Sequence, residues 1–161
     1  MERDTVVPPV VCVVGSSGAG KTTLLEKLIP ELNRLGLKVG TIKHDVHGFE
    51  IDKPGKDSYR LKHAGAVVSI ISSPVKVGVV MDAEHDPGLA ELAPFYSGVD
   101  IVLTEGYKRE NYPKIEVFRK EVHPPLELTV PRFDPDEIDE LAGFLIEKFF
   151  AGEEQIEGEF R

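Results

Sequence analysis

The sequence predicts a three-layer α/β fold built around a largely parallel sheet. Two observations lead to this prediction. An apolar run, Val10 to Val14, is followed by a glycine-rich turn and then by an amphipathic helix. Further along the chain, short apolar runs typical of strands alternate with helical segments. At 161 residues, 41% of them hydrophobic, the chain is long enough for one domain with a sizeable core. We expect this domain to span residues 1–152 and a polar tail to span 153–161.

The glycine-rich turn has the pattern GxxxxGK[ST] of a phosphate-binding loop, called the phosphate loop below. Backbone N–H groups of such a turn point into one concavity, and the helix N-terminus adds a partial positive charge. Lys21 supplies a full charge, and the Thr22 hydroxyl is expected on a magnesium ion that bridges the outer phosphates. We therefore predict the P-loop NTPase fold and a bound nucleoside triphosphate. The loop consists of Gly15, Ser16, Ser17, Gly18, Ala19, Gly20, Lys21 and Thr22.

The segment after the phosphate loop is predicted to be a helix, a strand and a long loop. Apolar residues recur at three- and four-residue steps, Pro30 is expected to bend the helix, and Gly36 is a natural stop. Val39 to Lys43 then makes a second strand. The polar loop that follows, His44 to Lys56, is expected to be functional because loops of this length tend to be.

The rest of the chain is predicted to contain one hairpin, two further strands and three helices. Asp57 is expected to cap the first of these helices, and the hairpin would make the sheet mixed. Asp134, Pro135 and Glu137 form the N-cap, first-turn proline and capping-box partner of the last helix. The other predicted elements are helix Ser58–Ala64, strands Val67–Ser72 and Val77–Met81, helix Leu89–Phe95, and strands Ile101–Thr104 and Lys114–Arg119.

Composition narrows the classes of partner. Twenty-eight acidic and nineteen basic residues give a net charge of −9, which disfavours nucleic acid. Cys12 is the only cysteine, so neither an internal disulfide nor a cysteine zinc site can form, and its place in the first strand suggests a small buried hydrophobe. Because the sequence has neither a signal-peptide pattern nor a run of about 20 apolar residues, we expect a cytoplasmic protein with no membrane partner.

Two carboxylates bracket the predicted strand Ile101 to Thr104. Asp100 precedes the strand and Glu105 follows it, so they lie roughly 17 Å apart at about 3.3 Å per residue. Ligands in an open α/β sheet bind beyond the carboxyl ends of the parallel strands. Glu105 is therefore the predicted magnesium-side carboxylate, and Asp100 is not.

The same rule directs His44 and Asp45, which follow the second strand, toward the outer phosphate of the nucleotide. His44 and His47 together make only a weak zinc signal. The densest basic stretch comes next, and an anionic ligand or a solvated surface explains it equally well. This stretch contains Lys43, Lys53, Lys56, Arg60, Lys62 and His63. Lys108 and Arg109, just beyond Glu105, could supply transition-state charge as an arginine finger does.

Two absences bear on specificity and rate. Neither Asn33 nor Asn111 is followed by lysine, so the chain lacks the NKxD motif that reads guanine in regulatory GTPases, and the base cannot be inferred from it. The only glutamine is Gln155, in the predicted tail, so no glutamine is placed to orient an attacking water. Hydrolysis is therefore expected to be slow.

Residues 10 to 119 resemble the molybdopterin-guanine dinucleotide biosynthesis B protein family. The phosphate loop alone is shared by many nucleotide-binding proteins. Two other motifs distinguish this family far better, namely DKPGKDS after the KH at the end of the second strand, and the later TEGYK. The segments that carry the resemblance are GSSGAGKTTLLEKLIPEL, GTIKHD, FEIDKPGKDSYRLKHAGA, SSPVK and DIVLTEGYKRENYPKIEVFR. One departure is that the family has a longer stretch with another strand where this chain has only Lys120 to Arg132.

The resemblance implies a homodimer that binds GTP with magnesium and hydrolyses it weakly. It also implies a partner, the nucleotidyltransferase that joins GMP to molybdopterin, and raises molybdopterin itself as a second ligand. Carried over, the phosphate loop extends to Thr23, the signature loop covers Asp52 to Ser58 with Lys53, Lys56 and Asp57, and the metal-side motif covers Glu105 to Lys108. Lys21 and Glu105 are the residues expected to serve hydrolysis.

Two other functions are compatible with a phosphate loop. A small-molecule kinase needs a second substrate pocket and usually an arginine-bearing lid, and no segment rich in the chain's seven arginines suggests one. A nucleotide-gated interaction module without relevant turnover would share every motif, so the sequence does not separate it from the accessory protein.

Overall fold

The computed structural model describes residues 7–120, 122 and 124–151, and the predicted tail at 153–161 lies outside them. The contacts divide the chain into two compact units. The first unit contains the described residues of 7–44 and 92–151, and the second contains Asp45–Glu91. None of the helices in the described part of the chain is long and apolar enough to cross a membrane.

The described elements follow the predicted order. The strands are β1 (Val10–Val14), β2 (Val39–Lys43), β3 (Val68–Ser73), β4 (Lys76–Met81), β5 (Ile101–Glu105), β6 (Lys114–Val117) and β7 (Arg132–Phe133). The α-helices are α1 (Lys21–Arg34), α2 (Asp57–His63), α3 (Leu89–Leu92) and α4 (Ile138–Phe150), and a 3₁₀ helix (Ala93–Tyr96) follows α3.

The first unit is built on a parallel sheet with the order β2-β5-β1-β6-β7. Residues 11–14 of β1 and 101–104 of β5 are buried throughout, as expected for central strands covered on both faces. Helices α1 and α4 pack against each other and bury their leucines in the same core. Cys12 is fully buried in β1, as predicted, and burial raises the pKa of its thiol. These findings confirm the α/β fold with a parallel central sheet.

The strand register brings the carboxyl ends of four strands to one edge of this sheet. Val13 of β1 lies beside Glu105 of β5, and Lys43 of β2 lies beside the same glutamate. On the other side of β1, Val14 lies beside Glu116, one residue before the end of β6. The phosphate loop follows β1 directly, so it lies at the edge where these four strands end.

The second unit contains helix α2 and the predicted hairpin. Strands β3 and β4 pair antiparallel in a separate two-stranded sheet, so the hairpin does not make the first unit's sheet mixed. Helix α2 packs on β3. It begins at Asp57 itself, with Lys56 in the N-cap position, so the prediction of Asp57 as the cap is wrong. The carboxylate still lies in the first turn, where the helix dipole favours it.

Strand β6 ends at Val117, two residues before the predicted end, and three other elements differ more from the sequence prediction. The helix predicted over Leu89–Phe95 is a single α-helical turn that continues as the 3₁₀ helix, which contains Pro94. Strand β7 was not predicted, although it pairs with β6 through the Glu116 and Arg132 positions. Helix α4 begins at Ile138 rather than after Asp134, because Asp134 and Glu137 close a separate turn before it. In this turn the Asp134 N–H donates to Oε2 of Glu137 over 2.8 Å.

Candidate nucleotide-binding site

The phosphate loop connects β1 to α1, and its first and last glycines are required by their surroundings. A Cβ on Gly15 would lie 2.6 Å from the carbonyl oxygen of Val117, at the end of β6. Gly20 has φ +96° and occupies the N-cap of α1, and a Cβ there would lie 2.9 Å from Cγ of Pro135. Neither glycine position can therefore carry a side chain, because β6 packs on the backbone at Gly15 and the turn before α4 packs on it at Gly20.

Lys21 holds its ammonium group against the start of the loop. Its Nζ donates to the carbonyl oxygens of Gly15 and Ser16, each over 2.9 Å. A lysine ammonium has three donors, so this geometry leaves one for an anion. The positive charge is thus held where the phosphate loop turns, close to the N-terminus of α1.

Thr22 and Glu105 meet across the same edge of the sheet. The Thr22 hydroxyl donates to Oε2 of Glu105 over 2.8 Å, although 83 positions separate them in the chain. Adjacent ligands of an octahedral magnesium ion, each about 2.1 Å from the metal, lie roughly 3 Å apart. The two oxygens therefore fit two neighbouring positions in a magnesium coordination sphere. No cluster of three or more His, Cys, Asp or Glu side chains suits a metal in the described residues, so phosphates and water would supply the remaining ligands.

Asp100 lies at the opposite end of β5. Its Oδ2 accepts a hydrogen bond from the N–H of Lys38 over 2.6 Å, just before β2 begins. The parallel register of β1 and β5 confirms the predicted strand direction and separates Asp100 from the phosphate loop. The roles of Glu105 and Asp100 in metal binding stay predictions.

The chain beyond Glu105 reverses through two residues with positive φ. Gly106 has φ +110° and Tyr107 has φ +54°, a conformation that no other non-glycine residue adopts in the described part of the chain. The Tyr107 ring stacks on the ring of His44 with centroids 4.5 Å apart, and the His44 N–H donates to the carbonyl oxygen of Glu105. Strained backbone of this kind, costing about 1 to 3 kcal/mol, concentrates at functional sites. Sequence reasoning singled out His44 as a site residue, whereas Tyr107 entered only as part of the motif Glu105 to Lys108. Its individual signal is its place after a glycine at a strand end.

The predicted residues Asp45, Lys53, Lys56 and Asp57 lie in the second unit. Asp45 accepts the N–H of His47 in a local turn. Lys53 and Lys56 flank a tight turn through Pro54 and Gly55, closed by a hydrogen bond from the Lys56 N–H to the Lys53 carbonyl.

The other cations of the basic stretch in the second unit lie near carboxylates. Lys62 contacts Asp82 over 2.6 Å, and more distant partners, each at 3.7 Å, are Asp57 for Arg60 and Glu50 for His63. No ion pair is found for Lys53 or Lys56 among the residues described, so these two lysines keep their charge available to a ligand. Lys108 and Arg109 lie in the first unit, exposed beyond Tyr107.

Two features beside the phosphate loop were missed from sequence. Arg119 follows β6, and its Nη2 would lie 3.8 Å from a Cβ built on Gly20. Asp136, in the turn that packs on Gly20, contacts Lys27 of α1 over 2.5 Å, and this hydrogen bond holds the pKa of the Asp136 carboxyl below its usual range. The rule that selected Glu105 would have found Arg119, because both lie at the carboxyl ends of strands parallel to β1.

Comparison with known proteins identifies a consistent set of relatives. Residues 10–133 match the family described as molybdopterin guanine dinucleotide synthesis protein B. A molybdopterin-guanine dinucleotide biosynthesis adapter protein of Haemophilus influenzae is 42% identical over 120 residues, which cover 73% of this chain and 67% of the relative. The Escherichia coli K12 protein of the same name is 42% identical over 129 residues, covering 77% and 74%.

Solved structures share the fold. A crystal structure of molybdopterin-guanine biosynthesis protein B superposes with a TM-score of 0.67 at 26% identity, covering 87% of this chain and 98% of the other. The crystal structure of Bacillus subtilis MobB gives a TM-score of 0.68 at 27% identity, covering 88% and 98%.

Proposed function

The chain belongs to the molybdopterin guanine dinucleotide synthesis protein B family, and from this we propose that it binds GTP with magnesium and assists the attachment of GMP to molybdopterin. Its relatives support the coarser role of an adapter in molybdopterin-guanine dinucleotide biosynthesis. The observation that carries the finer proposal is the contact of Thr22 with Glu105 beside the phosphate loop.

Each residue of the site has a task in this proposal. The backbone N–H groups of the phosphate loop and the ammonium group of Lys21 bind the phosphates. Thr22 and Glu105 hold magnesium, which neutralises charge on the outer phosphates when it is bound. Tight packing of Val117 and Pro135 against Gly15 and Gly20 keeps the loop in shape before the nucleotide arrives, which lowers the cost of binding.

We further propose that hydrolysis of GTP is weak. The chain's single glutamine is Gln155, and the cations nearest Glu105 in sequence, Lys108 and Arg109, are exposed. The site therefore offers strong charge for binding and little that would orient an attacking water. This suits an adapter whose nucleotide state matters more than its turnover.

Lys53 and Lys56 are proposed to bind a phosphate, either the outer phosphate of the nucleotide or the phosphate of a pterin. Their backbones flank one tight turn, and neither lysine forms an ion pair with a carboxylate in the described residues. Two exposed positive charges three positions apart favour an anionic ligand, and the interaction should weaken with salt.

The hairpin supports a homodimer, which we propose as the assembly. One face of the β3–β4 sheet carries five exposed apolar side chains, although an isolated two-stranded sheet is marginal in water. These residues are Val68, Ile70, Val77, Val79 and Met81. A second copy presents the same face, so a two-fold contact would bury both. The nucleotidyltransferase is the proposed partner of this dimer.

The test of nucleotide binding is a calorimetric titration of the full chain with GTP, GDP, ATP and ADP, with and without magnesium. We expect GTP to bind most tightly and its affinity to fall when magnesium is removed. Failure to bind any of the four nucleotides would overturn the proposal, and tighter binding of ATP than GTP would overturn the choice of base.

The dimer is tested separately by sedimentation. Ile70→Lys places a charge on the apolar face and should give a monomer, whereas Val75→Lys, at the 92% exposed tip of the hairpin, should leave the mass unchanged. A wild-type chain that stays monomeric at high concentration would refute this assembly.

A further inference from the structure

Arg119 lies beside the phosphate loop on the side away from Glu105. Strands β5 and β6 flank β1 on opposite sides, and all three run parallel. Glu105 ends β5 and Arg119 follows the end of β6 by two residues, so the carboxylate and the guanidinium group lie on opposite flanks of the loop. The Arg119 group reaches the loop itself, as the 3.8 Å approach of its Nη2 to a Cβ position on Gly20 shows.

The two flanks meet different parts of a nucleotide. Magnesium would neutralise charge on the outer phosphates, and the pair that would hold it, Thr22 and Glu105, lies on the β5 flank. The inner phosphate is the one farthest from this magnesium-side pair, so a cation on the opposite flank of the loop is the candidate to bind it. Gly20 occupies the N-cap of α1, and Arg119 is the cation that covers it from the β6 flank.

The surroundings of Arg119 leave its charge available. The nearest turn carries Asp136, whose carboxylate contacts Lys27 over 2.5 Å and feels the charge of Arg119 without forming an ion pair with it. No carboxylate lies within ion-pair distance of Arg119 in the part of the chain that the structure describes. The side chain is half-buried, and Pro135 packs on Gly20 at the same place, so the guanidinium group is held close to the loop rather than free in solvent.

We infer that Arg119 binds the inner phosphate of the nucleotide through its guanidinium group. The planar fork of an arginine matches two phosphate oxygens at once, which an ammonium group does not reproduce. This inference rests on the proposed nucleotide binding and adds a residue to it. It separates the site into an outer, magnesium-dependent half and an inner half that does not depend on the metal.

The test is calorimetric titration of Arg119→Ala and Arg119→Lys with GTP, GDP and ATP. Arg119→Ala should weaken all three by the same factor, about ten- to a hundredfold, because each carries the inner phosphate. The affinity ratio with and without magnesium should stay at the wild-type value, and Arg119→Lys should recover part of the loss. Arg34→Ala serves as the control, since Arg34 pairs with Glu31 at the far end of α1 and should leave all affinities unchanged.

The possible results distinguish a failure of this inference from a failure of the proposed nucleotide binding. Wild-type binding with unchanged affinity in folded Arg119→Ala would overturn the role of Arg119 and leave the nucleotide site standing. A loss confined to GTP would assign Arg119 to the base and overturn the phosphate contact. A loss of magnesium coupling would place Arg119 in the outer half, contrary to the inference. Should the wild-type chain bind no nucleotide, the proposed function and this inference fail together.

Discussion

The two units use similar apolar strands in opposite ways. Val11 to Val14 of β1 are buried in the first unit, between strands that continue the sheet on both sides. In the second unit, Ile70 and Val77 belong to equally apolar strands, yet they are 64% and 65% exposed. The same residue types therefore stabilise the first unit from within and leave the second with a surface suited to a partner. A strand's apolar content predicts that it will be buried but does not say by what.

The two units also differ in the chemical groups that they present. The first unit places the phosphate loop, Glu105 and Arg119 at one edge of its parallel sheet. Side chains positioned by strands can hold a site precisely. The second unit has the Lys53–Lys56 turn and the exposed apolar face of the β3–β4 sheet. Both are surfaces to which another molecule could bind. The predictions below test whether this division holds, beginning with the largest expected effect.

Core packing should separate the units most clearly. Leu28→Ala removes a fully buried side chain of α1 and should lower the free energy of unfolding by about 2 to 5 kcal/mol. Ile70→Ala should cost only about 0.5 kcal/mol or less in dilute solution, because its side chain is already in water. Urea denaturation of both variants measures the contrast.

The difference in unfolding free energy between the two variants should depend on protein concentration. If the hairpin packs on a second copy, the cost of Ile70→Ala should grow as the chain is concentrated, whereas that of Leu28→Ala should change little. Equal costs in dilute solution would mean that the hairpin is buried by the chain itself, and the contrast between the units would be lost.

Lys21→Ala should weaken triphosphate binding by about ten- to a hundredfold, since a charge-assisted contact contributes roughly 1.5 to 3 kcal/mol. The free energy of unfolding should change little, because the lysine bonds only to loop carbonyls within the described structure. Titration with GTP and ATP measures the loss, and unchanged affinity in a folded variant would remove the basis of the nucleotide site.

Glu105→Gln should abolish the magnesium dependence of GTP binding while keeping the shape of the side chain. Asp100→Asn is the matched control at the other end of β5, where it lies beside the backbone of Lys38, and it should leave magnesium coupling intact. GTP titrations at several magnesium concentrations compare the two. Loss of coupling in Asp100→Asn instead would contradict the assignment of the metal side to the carboxyl end of β5.

The smallest effect is expected in the second unit. Replacing both Lys53 and Lys56 by alanine should weaken phosphate-ligand binding by a few-fold and flatten its salt dependence, since exposed charge contacts contribute little and are screened. Arg60→Ala is the control, because Arg60 lies near Asp57. An affinity and a salt slope equal to those of the wild type would show that the lysine pair is only a solvated surface.

Elements governed by local rules were predicted well. The phosphate loop, the hairpin and the parallel direction of β5 follow from short-range patterns and from the geometry of crossover connections. Errors arose where tertiary contacts decide a boundary. The Asp134–Glu137 pairing formed as the capping box suggested, but it closes a turn that packs on Gly20, so α4 starts later. Strand β7, only two residues long, was missed because no periodicity can be read from so short a segment.

The burial of a polar side chain is also decided by tertiary contacts that the sequence pattern does not predict. Glu116 alternates with apolar residues in β6, a pattern that indicates a solvent-facing position, yet it is only 2% exposed. Its carboxylate accepts hydrogen bonds from Arg132 and from the N–H of Leu126. It thereby ties Leu126, between β6 and β7, to the sheet. The two partners lie 10 and 16 positions after Glu116 in the chain. Alternation within one strand cannot reveal hydrogen bonds to residues so far away.

The sequence by itself determined that a phosphate loop joins a buried strand to a helix, and that Glu105 rather than Asp100 follows a strand toward it. These conclusions depend on spacing and chain direction, which are local properties. Only the tertiary structure decided that Glu105 reaches Thr22, that Arg119 covers the other flank, and that the hairpin keeps an apolar face in water. Strand order and side-chain packing set those distances, and both arise from contacts between segments that are remote in the chain.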